Sequence, residues 1–404
     1  MLKSLFGKYR AAYTGLPRDA WALSLILFIN MSGTMVVFFL SLYMTQRLGF
    51  SVLQAGRILS VYGVGMIAGT LSGGWASDRI GPRATQRATL FGEGIALFAL
   101  GFFRTPTAMA TGVFLVAFFA SALFPANSSA IVEVCPVALR SRGFALNRLA
   151  NNLGVTIGPV VGGFLSRIDY SLLFWADGAT CILAGLAFYV VFPKSRRNRA
   201  SSVPEGTGRP AAWWRDKGLL GILAGTLGIS VIFVQIFGAF PLYLRAVYGF
   251  RENVIGLAVA VNSGLIVLAQ MVLTHGAERF RRGRVAAVGT ILLGLGFGLL
   301  PLGRGFLYAA MTIVIWTFGE MLVLPTLTTM ISLRAPEGGQ GKYQGLFSLA
   351  FSVGNVLGPA VGMAAYDRLG APVLWFGVAG LAAAVASGFW LAGGSPWLPP
   401  SAKA

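Results

Sequence analysis

Apolar residues fall into long, nearly uninterrupted runs rather than the one-faced or alternating patterns of soluble helices and strands. Twelve runs stand out, at roughly 20–44, 52–76, 84–103, 106–131, 143–166, 171–192, 217–245, 253–275, 285–303, 306–332, 344–366 and 372–393. Each approaches the about 20 residues a helix needs to cross hydrocarbon. Barrel strands would alternate in polarity and be about ten residues long, so twelve helical spans are predicted. Most connections are too short for anything but antiparallel neighbours. The exception is 193–216, where Lys194, Arg196, Arg197 and Arg199 lead into Ser201, Pro204, Gly206 and Pro210, the composition of a flexible linker. Residues 1–18, with Lys3, Lys8 and Arg10, read as a basic lead-in lying on the membrane surface.

The spans repeat in register two hundred residues apart. Leu42-Tyr43 recurs as Leu242-Tyr243, Gly49-Phe50 as Gly249-Phe250, Asp78-Arg79 as Glu278-Arg279, Pro125 as Pro325 and Trp175 as Trp375. The longest echo sets Gly154, Gly158, Pro159 and Gly162 against Gly354, Gly358, Pro359 and Gly362. Such self-similarity in an apolar chain predicts a duplicated bundle with a site between its halves. The halves are 1–192 and 217–404, joined by 193–216. The first span belongs to this repeat and lacks a small-residue cleavage site, so it is not read as a removable leader.

Composition agrees: 56% of residues are hydrophobic and 11% charged, against about a quarter charged in soluble domains. The net charge of +19 would suggest nucleic acid in a soluble protein. Its distribution points elsewhere. With both termini inside, only Arg47, Arg57, Arg104, Arg167, Arg245, Arg251, Arg304 and Arg368 of the 32 lysines and arginines lie outside. That is the positive-inside asymmetry of a multi-pass plasma (inner) membrane protein, with lipids rather than nucleic acid as the partner. Cys135 and Cys181 lack metal spacing, and His275 is the single histidine. No metal or cofactor is expected, and no nucleotide-binding or enzyme motif is visible.

The loop after span 2 reads Gly74-Trp75-Ala76-Ser77-Asp78-Arg79-Ile80-Gly81-Pro82-Arg83. An acid there, tied to neighbouring arginines, would latch one conformation. This loop resembles the signature of the major facilitator superfamily, Gly-x-x-x-Asp-Arg-x-Gly followed by basic residues, although Pro82 stands where a basic residue is usual. Span 5 carries Gly154, Gly158, Pro159, Gly162 and Gly163, similar to the antiporter motif of the superfamily's drug:proton exporters. Pro159 bends a helix and the glycines present a smooth contact face. The bland alternative is a packing face alone, which the echo at Gly354 favours. The resemblance implies an all-α membrane protein whose twelve transmembrane helices form two six-helix bundles related by pseudo-two-fold symmetry. It also implies alternating access. Span 4 lacks the arginine motif usual in that branch.

Acids inside spans are costly, roughly 2.5–3.5 kcal/mol at a helix centre on insertion scales, and so usually face a partner or cavity. Glu320, mid-span 10, and Asp177, in span 6, are the expected proton-coupling residues; Glu93 is also intramembrane. Gating is expected from Gly74, Asp78, Arg79, Gly81, Arg83, Glu133, Arg142, Glu278 and Arg279. The superfamily builds its cavity from spans 1, 4, 7 and 10 with help from 2, 5, 8 and 11. That places Asn30, Phe38, Asn127, Arg148, Asn151, Gln235, Asn262, Trp316, Glu320 and Asn355 among candidate substrate contacts. Aromatics, amides and one acid suit a bulky amphipathic or cationic guest. The expected activity is proton-coupled efflux of drug-like compounds by a monomer, its partners a small-molecule substrate, protons and lipid. The alternatives are a symporter, uniporter or flippase for a metabolite, siderophore or lipid, and, further off, a non-transporting receptor.

Overall fold

The computed structural model describes residues 15–136, 139–192, 213–336 and 340–392, and every regular element among them is helical. The start of the basic lead-in, most of the 193–216 linker and Lys403 lie outside the described residues. The helices are α1 (Arg18–Ser32), α2 (Val36–Leu42), α3 (Val52–Ile80), α4 (Pro82–Leu100), α5 (Pro106–Val134), α6 (Arg140–Ile168) and α7 (Ser171–Val191). They continue as α8 (Lys217–Phe233), α9 (Ala239–Ala246), α10 (Glu252–Ala277), α11 (Arg282–Gly298), α12 (Phe306–Arg334), α13 (Gln340–Leu369) and α14 (Ala371–Ala392). Ten helical stretches among the described residues are long and apolar enough to cross a membrane, counting Arg18–Arg47 and Lys217–Ala246 as single stretches. The chain is a multi-pass membrane protein. Two further stretches, α4 and α6, carry more charge: Arg83, Arg87 and Glu93 on one, Arg140, Arg142, Arg148 and Arg167 on the other.

The two-hundred-residue echo extends to the elements. Helix starts recur at Val52 and Glu252, Pro82 and Arg282, Pro106 and Phe306, Arg140 and Gln340, and Ser171 and Ala371. Even the turn before the second span is copied: Gly49 has φ 70° and Gly249 φ 69°, a left-handed conformation that glycine adopts without a Cβ penalty. Spans 1 and 7 are each interrupted, which the apolar pattern does not reveal. Gly33, Thr34 and Met35 separate α1 from α2, and a 3₁₀ turn (Val234–Ile236) separates α8 from α9.

The chain forms two compact units, one from Met1–Val36 and Gly65–Ser201, the other from Val37–Val64 and Ser202–Ala404. Residues 37–64 therefore pack with the second unit although they precede the central polar stretch. In the first unit α1 packs on α6 and α7, and α4 on α5 and α7. In the second the equivalent pairs recur, α8 on α13 and α14, and α11 on α12 and α14.

Small residues set these contacts, because hydrocarbon supplies no hydrophobic force between helices and close van der Waals approach must hold them together. A Cβ at Gly154 would strike Met31, and one at Gly158 the carbonyl of Thr34. Their echoes behave alike: a Cβ at Gly354 would strike Ser230, at Gly358 Val234, and at Gly362 Gln235. The Gly-Pro motif is thus a close-packing face against span 1 in one unit and against span 7 in the other. The second unit's core is a stack, Phe297 lying 5.3 Å from Trp316 and 5.7 Å from Trp375 at interplanar angles of 12° and 5°. Trp175, the echo of Trp375, is instead half-exposed beside Phe98 and Phe102.

One ion pair closes an end of the second unit. Asp216 caps α8 by accepting from the Leu219 N–H at 3.0 Å and receives Arg334 Nε at 2.8 Å and Nη2 at 2.5 Å. Burial pushes the Asp216 carboxyl up, but the bonds from Arg334 and the helix N–H groups outweigh it and hold the acid below its usual range. A lowered folded value stabilises above the ordinary carboxylate range, and that stability is lost as pH falls through the lowered value. Thermal unfolding in detergent should therefore show an acid-side loss, below roughly pH 4, that Asp216→Asn lacks. Asp216→Ala should lower the unfolding temperature further than Asp216→Asn, since asparagine still caps and a lost cap costs about 1 kcal/mol. An Asp216→Ala protein as stable as wild type at neutral pH contradicts this account.

Candidate functional site

Among the described residues, a polar cluster centred on an acid sits inside the apolar helices of each unit. In the first, Asn30 on α1 is buried and its Nδ2 donates to Glu93 Oε2 at 3.3 Å and to Cys181 Sγ at 3.3 Å. Asp177, one turn from Cys181 on α7, is also buried. Its Oδ2 accepts from the backbone N–H groups of Met35 at 3.3 Å and Val36 at 3.2 Å. The interruption of span 1 leaves those N–H groups without helical acceptors, and in hydrocarbon an unpaired one costs several kcal/mol. A carboxylate from a neighbouring helix supplies the acceptor. Gly33 permits this approach, since a Cβ there would collide with Thr180 Oγ1 and lie 3.0 Å from Asp177 Oδ1.

In the second unit Glu320 on α12 is half-buried and its Oε2 accepts from Asn262 Nδ2 at 2.8 Å. The same amide reaches Thr317 Oγ1 at 3.0 Å, and Thr317 in turn donates to the Ile313 carbonyl at 2.6 Å. Asn262 and Thr317 are both buried. Three sequence-expected contacts on spans 8 and 10 are thereby brought close: Asn262, Glu320 and, one turn away on α12, Trp316. The tryptophan turns into the aromatic stack and is fully buried.

The remaining candidates are spread more widely. Gln235 donates from Nε2 to the Val231 and Gly358 carbonyls, both at 2.9 Å, and so ties the break in span 7 to α13. Asn355 donates to Ser230 Oγ at 3.3 Å on the same seam. Phe38 is buried with its ring 5.0 Å from Phe237. Asn127 is buried on α5, Asn151 is half-buried on α6 with Asn152 Oδ1 at 3.4 Å, and Arg148 is exposed.

The loop residues assemble differently from the expected latch. Asp78 is exposed and forms no ion pair among the described residues, while Arg79 lies 4.7 Å over the Trp75 ring. Gly81 has φ 90°, the sharp turn that starts α4. Arg83 is the residue that gathers partners: Asp19 at 3.6 Å, the Phe192 ring at 4.8 Å, and Glu133 within Coulombic reach. Arg142 is exposed. In the second unit Glu278 pairs with His275 at 3.4 Å and Arg279 covers Phe280, all exposed.

A family model described as Major Facilitator Superfamily matches residues 22–359 and 236–403. The chain belongs to the Major Facilitator Superfamily. It is a membrane transporter, in a family of transporters rather than enzymes. It is 27% identical over 362 residues to the MFS-type transporter YttB of Bacillus subtilis (strain 168), covering 88% of this chain and 90% of that one. It is 25% identical to a Na(+), Li(+), K(+)/H(+) antiporter of Planococcus maritimus, over 82% and 85% of the two chains. It is 24% identical to the multidrug resistance protein MdtH of Edwardsiella ictaluri (strain 93-146), over 83% of each. Among solved structures, a POT family transporter in complex with 5-aminolevulinic acid superposes with TM-score 0.81 at 17% identity, covering 97% and 98%. The nucleoside transporter NupG gives TM-score 0.77 at 14% identity, covering 93% and 99%. At that identity the superpositions show the superfamily fold alone.

Sequence reading missed three features. Asn30 is a partner of Glu93 rather than a lone cavity amide, Asp177 is a backbone cap, and Arg83 rather than Asp78 organises its loop. Asp216 did carry a signal, an acid just before an apolar helical run. Arg83→Ala should lower the unfolding temperature, whereas Asp78→Asn should stay within about 0.5 kcal/mol of wild type, as exposed substitutions do. A larger loss for Asp78→Asn in thermal unfolding would restore the latch to that residue.

Proposed function

We propose that this Major Facilitator Superfamily member exports drug-like or amphipathic compounds in exchange for protons, by alternating access of two six-helix bundles with twelve membrane crossings. The observation that carries the reading is the acid Glu320 inside a span, hydrogen-bonded by Asn262 of a neighbouring span. Such an acid is retained at a cost of roughly 2.5–3.5 kcal/mol and marks an ion or proton path. Similarity to relatives named as a multidrug resistance protein and a cation/proton antiporter supports the direction and the coupling. The 24 inward basic residues left after the eight outward ones support cytoplasmic termini in an inner membrane.

In this reading Glu320 takes a proton from outside and gives it up inside, while Asn262, itself bonded to Thr317, holds the carboxylate when it is empty. A protonated Glu320 no longer needs the amide, so the cluster responds to its proton by changing a contact between α10 and α12. Phe38, Gln235, Asn355, Asn127, Asn151 and Arg148 belong to the surrounding substrate path, and Trp316 backs it from the aromatic stack. Gly74, Arg79, Gly81, Arg83, Glu133 and Arg142 act as the gate of the first unit, and Glu278 and Arg279 as its counterpart in the second. A second reading, monovalent cation/proton exchange, is favoured by the antiporter relative. A carboxylate, an amide and a hydroxyl also suit a small cation.

The test is transport by purified protein in proteoliposomes, using ethidium and sodium separately, with and without an imposed pH gradient. Gradient-driven ethidium export is the expected outcome. Glu320→Gln should lose it at least tenfold while retaining ethidium exchange across equal pH. Gradient-driven sodium movement without ethidium movement selects the second reading, and full gradient-driven export by Glu320→Gln removes Glu320 from the coupling.

A further inference from the structure

The first unit holds an intramembrane carboxylate that the Glu320 mechanism does not use. Glu93 lies near the middle of α4 and is buried, with Asn30 of α1 and Cys181 of α7 bonded to it. Asp177, the cap of the span 1 break, is within Coulombic reach. Among the described residues no arginine or lysine pairs with either acid. α5, packed along α4, carries Glu133 as its one charged residue, at its far end. α1 has Arg18 and Asp19 at its far end, α6 has arginines only at its ends and at 148, and α7 offers only Asp177, Cys181 and Tyr189. With no counter-charge beside them among the described residues, each ionised carboxylate is costly in hydrocarbon and the two charges repel.

A second observation shows that the amide beside Glu93 is not pinned in one orientation. Asn30 Oδ1 is buried and has no hydrogen-bond partner, although Asn30 itself is only 1% exposed. A buried acceptor left empty costs about 1–3 kcal/mol. Since nothing holds that oxygen, turning the amide over breaks only the bonds to Glu93 and Cys181. With the carboxylate ionised, the amide points Nδ2 at Glu93 and Cys181, as seen. With Glu93 protonated, the amide turned over presents Oδ1 to the acid O–H and to the thiol S–H. Either orientation matches one protonation state of Glu93.

We infer that Glu93 is a proton-binding residue of the first unit. Asn30 is the positioning residue that reads its state, and Asp177 passes that state to the break in span 1. The inference rests on the reading of the chain as proton-coupled. One proton taken from water forms one O–H bond on Glu93, and nothing is oxidised or reduced. With that proton on Glu93, Asp177 keeps its negative charge and holds the Met35 and Val36 N–H groups. With the proton on Asp177, the cap weakens where the chain leaves the first unit.

Infrared difference spectra of the full-length protein in lipid, recorded across a pH titration, read this directly. A Cys135→Ser background leaves Cys181 as the only S–H stretch, and Cys181→Ser confirms its assignment. The expected result is a carboxylic-acid C=O band and a shift of the S–H band that share one midpoint. Glu93→Gln should remove the S–H shift and the C=O component that shares its midpoint while leaving any Glu320 component, and Asp177→Asn should keep the S–H shift. Asn30→Ala, the variant to use if Glu93→Gln does not purify, should move the midpoint by on the order of one pH unit. An S–H band that ignores pH, an unchanged midpoint in Asn30→Ala, or loss of the C=O band on adding sodium at constant pH would each overturn the site. A titrating Glu93 in a protein that moves no ethidium on a pH gradient leaves the site standing and overturns the export reading instead.

Discussion

Hydrocarbon offers no hydrogen-bond partner, and that single constraint organises this molecule. A continuous helix satisfies its own backbone, so an apolar run can cross the membrane without help. An interrupted helix cannot. Spans 1 and 7 are both interrupted, and each break is answered by a polar side chain at a place where polarity is otherwise expensive. Asp177 accepts from the two N–H groups that open α2, and Gln235 donates to the carbonyl of Val231 at the end of α8 and to Gly358 across the seam. The two halves thus solve the same problem with opposite chemistry, a carboxyl acceptor in one and an amide donor in the other.

The glycines follow from the same constraint. Where solvent cannot drive helices together, contact must come from close approach, and the helix carrying the Gly-Pro motif lies against the interrupted span in both units. The collisions a Cβ would make at Gly158 with Thr34 and at Gly358 with Val234 place each motif beside each break. A proline-containing helix and a broken helix share one tight face. That arrangement sets each break in direct contact with a second helix.

The duplicated frame leaves the chemistry to the positions where the copies differ. Glu320 aligns with Ala120, Asp177 with Gly377 and Glu93 with Leu293. Each acid is therefore unique to its half, and each has collected an asparagine or backbone donors around it. Asn30 and Asn262 play parallel parts, an amide on one span bonded to an acid on another, though they sit in non-equivalent spans.

The apolar runs, the repeat and the loop motif were sufficient to identify a multi-pass helical transporter of this superfamily, because span length and glycine placement are local demands that each segment must meet by itself. Helix boundaries two hundred residues apart were legible for the same reason. The breaks in spans 1 and 7 were not, since Gly33 and Val234 lie in runs as apolar as any other. Nor could the partners be read. Asn30 looked like a cavity amide and Trp316 like a substrate contact until packing turned one to Glu93 and the other to Phe297. Asp216 announced itself as a helix cap, but its arginine lies 118 residues away. Local sequence sets what each helix is; which buried polar groups meet is decided by helix packing, because only three-dimensional contact determines which donor is close enough to relieve which acceptor.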